Sequence, residues 1–325
     1  MREHDRLFIG GEWVAPAGSG FISVISPHTE EVVGRVPDGT AADIDRAVAA
    51  ARDAFDNGPW SRTDPVERAS AVDRLAEIYA GCTSEMAELI TEEMGAPITY
   101  SRRVAERPQG FLRYFAELAR GYAWEEERTG LLGPVTVRRE SVGVVAAIVP
   151  WNVPQFLIVA KLAPALVAGC TVVVKPPPEA PLDAYLLAEM IHQAGIPPGV
   201  VNIVAAGWEA GEHLVSHAGV DKVAFTGSVA AGRRIAAICG QQLKRCSLEL
   251  GGKSAAIILD DTGLPATMGW LKRAALGNSG QICFAQSRIL ASRDRYEEVV
   301  AALADTVQGQ ELVRGVLTTA SNTKH

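Results

Sequence analysis

The feature that most constrains this chain is a series of short apolar segments between Val144 and Leu250, each followed by a stretch with helical spacing. In order they read VVAAIV from Val144, a helix to Leu166, TVVVK from Thr171, a helix over Ala184 to His192, VNIV from Val201, a short helix, KVAF from Lys222, and a helix over Val229 to Ile238. Strands that are apolar along their whole length and alternate with helices belong to a parallel sheet covered on both faces. The expected architecture is α/β, a doubly wound parallel sheet, and ligands of such sheets sit at the carboxyl ends of the strands.

The segment before this alternation reads differently. FIGGEWV, FISVISP and EEVVGRV, within residues 8–36, look like short strands forming an antiparallel edge. Thr40 can cap a helix carrying Ile44, Val48, Ala51 and Phe55, and Asp64-Pro65 opens another with Val66, Ala69, Val72, Leu75 and Ile78. A third helix follows Thr83 and ends at Gly95. Residues 122–141 are charged, turn-rich and weakly β, suited to an exposed hairpin or a linker, and the last stretch, 308–325, loses all periodicity and reads as an unpacked tail.

At 325 residues the chain is long enough for about two domains. Its 38 acidic against 31 basic residues, a net charge of -7, disfavour nucleic acid and anionic lipid as partners. The longest apolar stretch, Phe156 to Val174, is broken by Lys161, Pro164 and Gly169, so no membrane span is expected. The polar N-terminus has no secretory character, and the odd count of five cysteines without a C-x-x-C pair suits free thiols in a reducing cytoplasm.

Several residues stand where chemistry is possible. Asn152 is held between two prolines in Pro150-Trp151-Asn152-Val153-Pro154, where its amide could donate to an oxyanion or simply cap the following helix. Lys175 is delivered into Pro176-Pro177-Pro178-Glu179, a rigid place for a cation facing ribose hydroxyls or a phosphate. Thr226-Gly227-Ser228 and the helix containing Gly232 offer backbone N–H groups to a pyrophosphate, or form a plain glycine turn. Glu249 lies between Leu248 and Leu250; burial there would raise its pKa towards that of a working base, while the alternative is an outward-facing strand glutamate.

Of the five cysteines only Cys283, in GNSGQICFAQSR, occupies a Gly/Ser/Asn-rich loop whose amides could stabilise a thiolate; Cys82, Cys170, Cys239 and Cys246 read as small core residues. No metal is expected. His213 and His217 lack the glutamate of H-E-x-x-H and read as a solvated helix face, and the absence of G-x-S-x-G argues against a serine hydrolase.

Taken in order, FIGGEWV, AADIDRAVAAARDAF, PWNVP, VVVKP, AFTGS, LELGGKS and GQICFAQSR resemble the motifs of the NAD(P)-dependent aldehyde dehydrogenase superfamily, in its non-phosphorylating, hydrolytic branch, from about Phe8 to Leu303. The resemblance implies a Rossmann-like sheet with a helical N-terminal region and an incomplete second α/β catalytic domain. It implies that Cys283 is the nucleophile, Glu249 the base that activates water, and Asn152 the oxyanion donor together with the Cys283 N–H. Lys161 would assist proton transfer near the base. Lys175 would hold the adenosine ribose, Ser228 with Gly227 to Gly232 the pyrophosphate, and Trp151 would line the same site.

The implied division is 1–121 for the N-terminal part of a cofactor domain, 122–141 for a hairpin used in oligomerisation, 142–252 for the dinucleotide-binding part, 253–307 for the beginning of a catalytic domain, and 308–325 for a non-family tail. Two departures stand out. Pro178 occupies the place three residues after Lys175 where the family often has glutamate, and Glu179 follows it, which leaves NAD or NADP open with NAD preferred. The family's Glu-Ile-Phe-Gly-Pro motif and C-terminal dimerisation strand do not occur, so the sequence reads as C-terminally truncated and the family's homo-oligomer lacks one of its contacts.

The implied activity is oxidation of a small-molecule aldehyde to an acid through a cysteine thiohemiacetal and thioester, in the cytoplasm. A CoA-acylating enzyme is disfavoured because it needs no water-activating Glu249. The alternative is a catalytically impaired fragment that retains nucleotide binding or subunit association.

Overall fold

The computed structural model describes residues 1–308. It opens with five short strands, β1 (Arg2–Glu3), β2 (Leu7–Ile9), β3 (Glu12–Val14), β4 (Phe21–Ile25) and β5 (Val32–Pro37). Helices α1 (Ala41–Asp56), α2 (Pro65–Gly81), α3 (Thr83–Met94), α4 (Ile98–Ala105) and α5 (Arg107–Gly121) come next, then a hairpin of β6 (Glu125–Gly130) and β7 (Gly133–Arg138). The alternation follows: β8 (Val144–Ile148), α6 (Pro154–Val167), β9 (Thr171–Lys175), α7 (Leu182–Gln193), β10 (Val201–Ile203), α8 (Trp208–Ser216), β11 (Lys222–Gly227), α9 (Val229–Gln241) and β12 (Arg245–Leu250). The chain continues through β13 (Ala255–Ile258), α10 (Leu264–Leu276), β14 (Arg288–Ala291) and α11 (Tyr296–Gln308).

The main sheet has the order β12-β11-β8-β9-β10-β2-β3. Its first five members are parallel, and β2 closes on β10 in antiparallel fashion through Ile203 and Phe8. The expected antiparallel edge is therefore divided: β2 and β3 extend the main sheet, whereas β4 and β5 form a separate sheet with β1. Period-two alternation assigns β8 to two cores. Val144, Ala146 and Ile148 face a cluster with α1, α8 and α9, while Val145, Ala147 and Val149 face α2, α5, α6 and α7. β13 and β14 pair separately, over a small cluster with Leu264, Met268, Leu271 and Val299.

The local signals act as their chemistry requires. Thr40 and Asp43 form a reciprocal capping box at α1, and buried Asp43 also accepts the Ala17 amide at 2.8 Å. Asp64 accepts the Val66 amide with Pro65 at the first helical position, and Gly95 ends α3 in the left-handed conformation. Residues 122–141 do contain a hairpin, whose tip residues Leu131 and Leu132 are fully exposed. The tail expected at 308–325 falls, beyond residue 308, outside the described residues. No helix among the described residues is long and apolar enough to cross a membrane.

One expectation needs correcting. His213 and His217 are not a merely solvated face, because their Nε2 atoms lie 2.6 and 3.3 Å from Asp45 Oδ1 on α1. The Gly219 N–H donates to His217 Nδ1 at 2.9 Å, so the neutral ring carries its proton on Nε2 and donates it to Asp45. The cluster clips α8 to α1.

Beneath α7 lie two buried carboxyls. Glu93 accepts the Leu182 and Asp183 amides at 2.8 and 3.0 Å, satisfying the helix start, whereas neither Asp183 oxygen has a well-formed hydrogen bond among the described residues. Burial and the neighbouring Asp183 charge raise the Glu93 carboxyl well above its ordinary value despite the two amides it accepts, so the pair shares a proton. Burial pushes the Asp183 carboxyl up to about 8 from 3.8, against the pull of the Ala184 and Gln155 amides. Because the folded pKa lies above the unfolded one, stability is fully present below pH ~4 and is lost as pH rises through ~8. Asp183→Asn, neutral at every pH, should flatten that slope and melt at least ~3 °C above the wild type at pH 8, with a smaller gap at pH 5. Thermal denaturation at the two pH values checks this; parallel curves would place the slope on other groups.

Candidate active site at the switch point

From β8 the chain passes to β9 on one side, whereas β11 lies on the other side of β8. Helix α6 after β8 packs on one face and α9 after β11 on the opposite face. Their N-termini diverge and leave a crevice at the carboxyl ends of β8 and β11, the usual ligand position in such sheets. Pro150-Trp151-Asn152 comes from one strand and Thr226-Gly227-Ser228 from the other.

Two pockets meet there. An apolar pocket of about 540 Å³ is lined by Lys175, Pro178, Gly211, Val215, Phe225 and Ile235, among others. A second, of about 590 Å³, contains Asn152, Gly252, Gln281 and Cys283. Pro150, Trp151, Thr226, Gly227 and Ser228 line both, so one cleft runs from Lys175 to Cys283.

Lys175 is buried and its Nζ donates to the carbonyls of Pro176 at 3.0 Å and Ala206 at 2.7 Å. Burial pulls its pKa down to about 8, with Glu179 and Asp38 opposing. Of its three ammonium protons, one remains for a ligand. Ser228 caps α9 by accepting the Ala231 amide at 3.2 Å, and Val229 and Ala230 precede the first intrahelical bond, so their N–H groups have no helical acceptor. The Gly232 amide, by contrast, is taken by the Ser228 carbonyl at 2.9 Å. Gly232 acts in packing: a Cβ there would come within 2.5 Å of Leu250 Cδ2, just as one at Gly227 would meet the Phe225 ring at 2.4 Å.

The cysteine loop is held by left-handed backbone at Asn278, Ser279 and Gly280, with φ of 52°, 55° and 75°. Two consecutive non-glycine residues in that region are costly and persist only where contacts impose them. Here Asn278 is buried, and its Nδ2 donates to the Asn152 carbonyl at 3.0 Å and to the Gln281 carbonyl at 3.3 Å. Asn152 Nδ2 in turn donates to the Gln281 carbonyl at 2.7 Å. Asn152 is thus neither a helix cap nor wholly free: one amide proton braces the cysteine loop and one remains.

Lys161 Nζ donates to Thr226 Oγ1 at 2.6 Å, and Thr226 pairs in register with Glu249 across β11 and β12. Burial lowers the Lys161 pKa while the Glu249 carboxylate raises it, so the three groups are neighbours. The expected burial of Glu249 is not met. β12 is the edge strand of the sheet and Glu249 is exposed on it. The cysteines are corrected likewise: Cys170 and Cys239 are buried and Cys82 half-buried, but Cys246, on the same edge strand, is as exposed as Cys283.

Asn278 was not singled out in the sequence, and Thr226 was read only as part of the glycine turn rather than as a partner of Lys161. Asn278 could have been found as the one amide side chain in the Gly-Asn-Ser-Gly turn; Thr226 carries no signal apart from its partner Lys161.

Residues 13–318 match the aldehyde dehydrogenase family. Among curated proteins the chain is 46% identical over 307 residues to a geranial dehydrogenase of Castellaniella defragrans, covering 94% of this chain and 64% of that protein. It is 42% identical to a 3-succinoylsemialdehyde-pyridine dehydrogenase of a Pseudomonas species, covering 92% of this chain and 62% of the relative. Among solved structures, a Mycobacterium tuberculosis aldehyde dehydrogenase complexed with NAD+ superposes with a TM-score of 0.91 at 47% identity, covering 95% of this chain and 64% of that one. A Pseudomonas syringae aldehyde dehydrogenase variant complexed with NAD+ and octanal gives 0.90 at 39%, covering 94% and 62%. The chain therefore spans less than two thirds of the length of these relatives.

The exposure pattern orders the thiols. Iodoacetamide at neutral pH, followed by peptide mapping, should label the exposed Cys283 and Cys246 while sparing Cys170 and Cys239. Labelling of a buried cysteine ahead of Cys283 would contradict the accessibility of the Cys283 thiol.

Proposed function

The chain belongs to the aldehyde dehydrogenase family, and from that premise we propose that its cleft serves the oxidation of an aldehyde to an acid with NAD or NADP. The observation that carries the reading is the continuity of the cleft. An accessible thiol and an amide donor stand at one end, and a buried ammonium with the two free first amides of α9 stands at the other.

The residues present fit a dinucleotide. The pocket beside Lys175 is apolar enough for a purine, and glycine at 211 keeps it open, since a Cβ there would approach the Lys175 side chain to 3.2 Å. The Ser228 hydroxyl and the first amides of α9 would take the pyrophosphate, where the helix dipole favours an anion. Trp151, shared by both pockets, would separate the two halves. When bound, the dinucleotide supplies the hydride acceptor.

The protein's part is then derived from its own groups. The Cys283 thiolate adds to the aldehyde carbon, and the remaining Asn152 amide proton with the Cys283 N–H receives the oxyanion. The thiohemiacetal carbon must then give up its hydride to leave a thioester, and Glu249 removes a proton from the water that cleaves that thioester. Lys161, held by Thr226, keeps a cation beside that carboxylate and provides a route for the proton. The exposed tip of the β6–β7 hairpin, Leu131 and Leu132, suits subunit association.

Three variants test the reading. Cys283→Ser should abolish aldehyde-dependent cofactor reduction, and Glu249→Gln should retain a burst of reduced cofactor while steady turnover falls by ~10² or more. Loss of the burst in Glu249→Gln would move that residue to cysteine activation. Lys175→Met, which deletes a charged hydrogen bond, should weaken dinucleotide binding by ~10-fold or more in calorimetric titration with NAD+ and NADP+. Unchanged affinity would remove Lys175 from the cofactor site.

A further inference from the structure

Helix α9 and strand β12 run in opposite directions and lie against one another. Gly232 near the start of α9 faces Leu250 at the end of β12, and Leu248 and Leu250 pack on the cluster that contains Ile235 and Cys239. Period-two alternation puts Cys246 on the same face of β12 as Leu248 and Leu250. The link between the two elements is a tight turn, since the Lys244 N–H donates to the Cys239 carbonyl at 2.8 Å and Leu243 adopts a positive φ of 54°. The helix cysteine and the first residues of the strand are thereby folded together, and Cys246 is near enough to act on the Cys239 thiol.

The two thiols differ in access. Cys246 is exposed on the edge strand, and Cys239 is 1% exposed within the core. Both are free. The Lys244 ammonium, which also closes the end of α8 through the Val215 and His217 carbonyls at 2.8 and 3.0 Å, lies near Cys239 and favours its thiolate against the burial that pushes the thiol up.

We propose that Cys239 and Cys246 form a modification site for peroxides, in which the exposed thiol is oxidised and the buried thiol closes on it as a disulfide joining α9 to β12. The Cys246 thiolate attacks one peroxide oxygen; an S–O bond forms, the O–O bond breaks, and the departing oxygen is protonated to water. Cys239 sulfur then attacks the Cys246 sulfenic acid; the S–S bond forms, the S–O bond breaks, and the leaving hydroxide takes the Cys239 proton as a second water. Two thiols are oxidised and one hydrogen peroxide is reduced. The staple fixes the strand that carries Glu249 to the helix that begins at Ser228, without touching either residue.

The sequence provides its own readout. Trypsin cuts after Arg234, Lys244, Arg245 and Lys253, so Cys239 and Cys246 fall in separate peptides, 235–244 and 246–253, joined only if the disulfide exists. The full chain is treated with equimolar hydrogen peroxide, its remaining thiols are blocked with N-ethylmaleimide, and it is digested without reduction. The expected result is a joined peptide two hydrogens lighter than the sum of its parts, which separates on reduction. Cys246→Ser, at an exposed position that should not disturb folding, should eliminate the joined peptide. Cys246 recovered as sulfinic or sulfonic acid without a joined peptide in the wild-type chain, or Cys246 joined to Cys283 or to a second copy, would overturn the proposal.

Discussion

The position of β8 governs the rest of this structure. It is the middle of five parallel strands and is buried on both faces, so α6 must leave on one face and α9 on the other. No side chain can seal the gap between two helix starts that diverge from neighbouring strands. The cleft follows from strand order alone, and the residues that carry chemistry are those the chain happens to place on the two turns bordering it. Trp151 and Asn152 stand on one border and Gly227 and Ser228 on the other.

A second set of contacts turns that opening into a defined geometry. The cysteine loop comes from a different part of the chain, and the Asn278 amide ties it to the Asn152 turn through the Asn152 carbonyl while bracing the loop itself through the Gln281 carbonyl. Two non-glycine residues in left-handed conformation are the local cost, roughly 1–3 kcal/mol each, and the polar contacts offset it. Asn152 braces the loop with one amide proton, and in the proposed reading the other is left for a developing oxyanion. A substitution that kept its size but removed the amide would be felt first as a misplaced cysteine.

The parallel sheet was legible because a strand buried on both faces must be apolar along its middle, and the three valines of TVVVK and the run VVAAIV satisfy that without reference to any partner. The caps at Thr40, Asp64 and Gly95 were legible for the same reason, since each acts on its own backbone. Burial that depends on a neighbour was not. Leu248 and Leu250 around Glu249 suggested an enclosed strand, yet β12 is an edge and its alternate residues face outward, which exposes Glu249. Cys246 read as a core residue on composition and is exposed on the same strand. The Asp45 clip to His213 and His217 joins residues about 170 positions apart, a pairing that i, i+4 spacing cannot reveal. Gly232 was legible as a glycine of consequence but not as to why: it admits the Leu250 side chain, while its amide is already used within the helix.

These assignments separate the two ends of the cleft in physical terms. Every wall of the pocket beside Lys175 comes from residues 148–238, and its polar partners, from the Pro176 and Ala206 carbonyls to the Ser228 cap, are supplied by the same sheet and its connections, with Asp38 adding a charge from outside them. In the proposed reading, holding the adenosine half of a dinucleotide falls to elements that pack on one another within the main sheet. The thiol and the carboxylate are placed differently, since Cys283 lies in a loop beyond β12 and Glu249 on the sheet's edge, and both are exposed among the described residues. A base gains strength from desolvation and a near-attack geometry from enclosure. On the proposed function, nucleotide affinity and turnover would rest on different surfaces of this fold, and a change in the enclosure of the cysteine end should alter the rate of acyl transfer while leaving the dissociation constant of the dinucleotide almost unmoved.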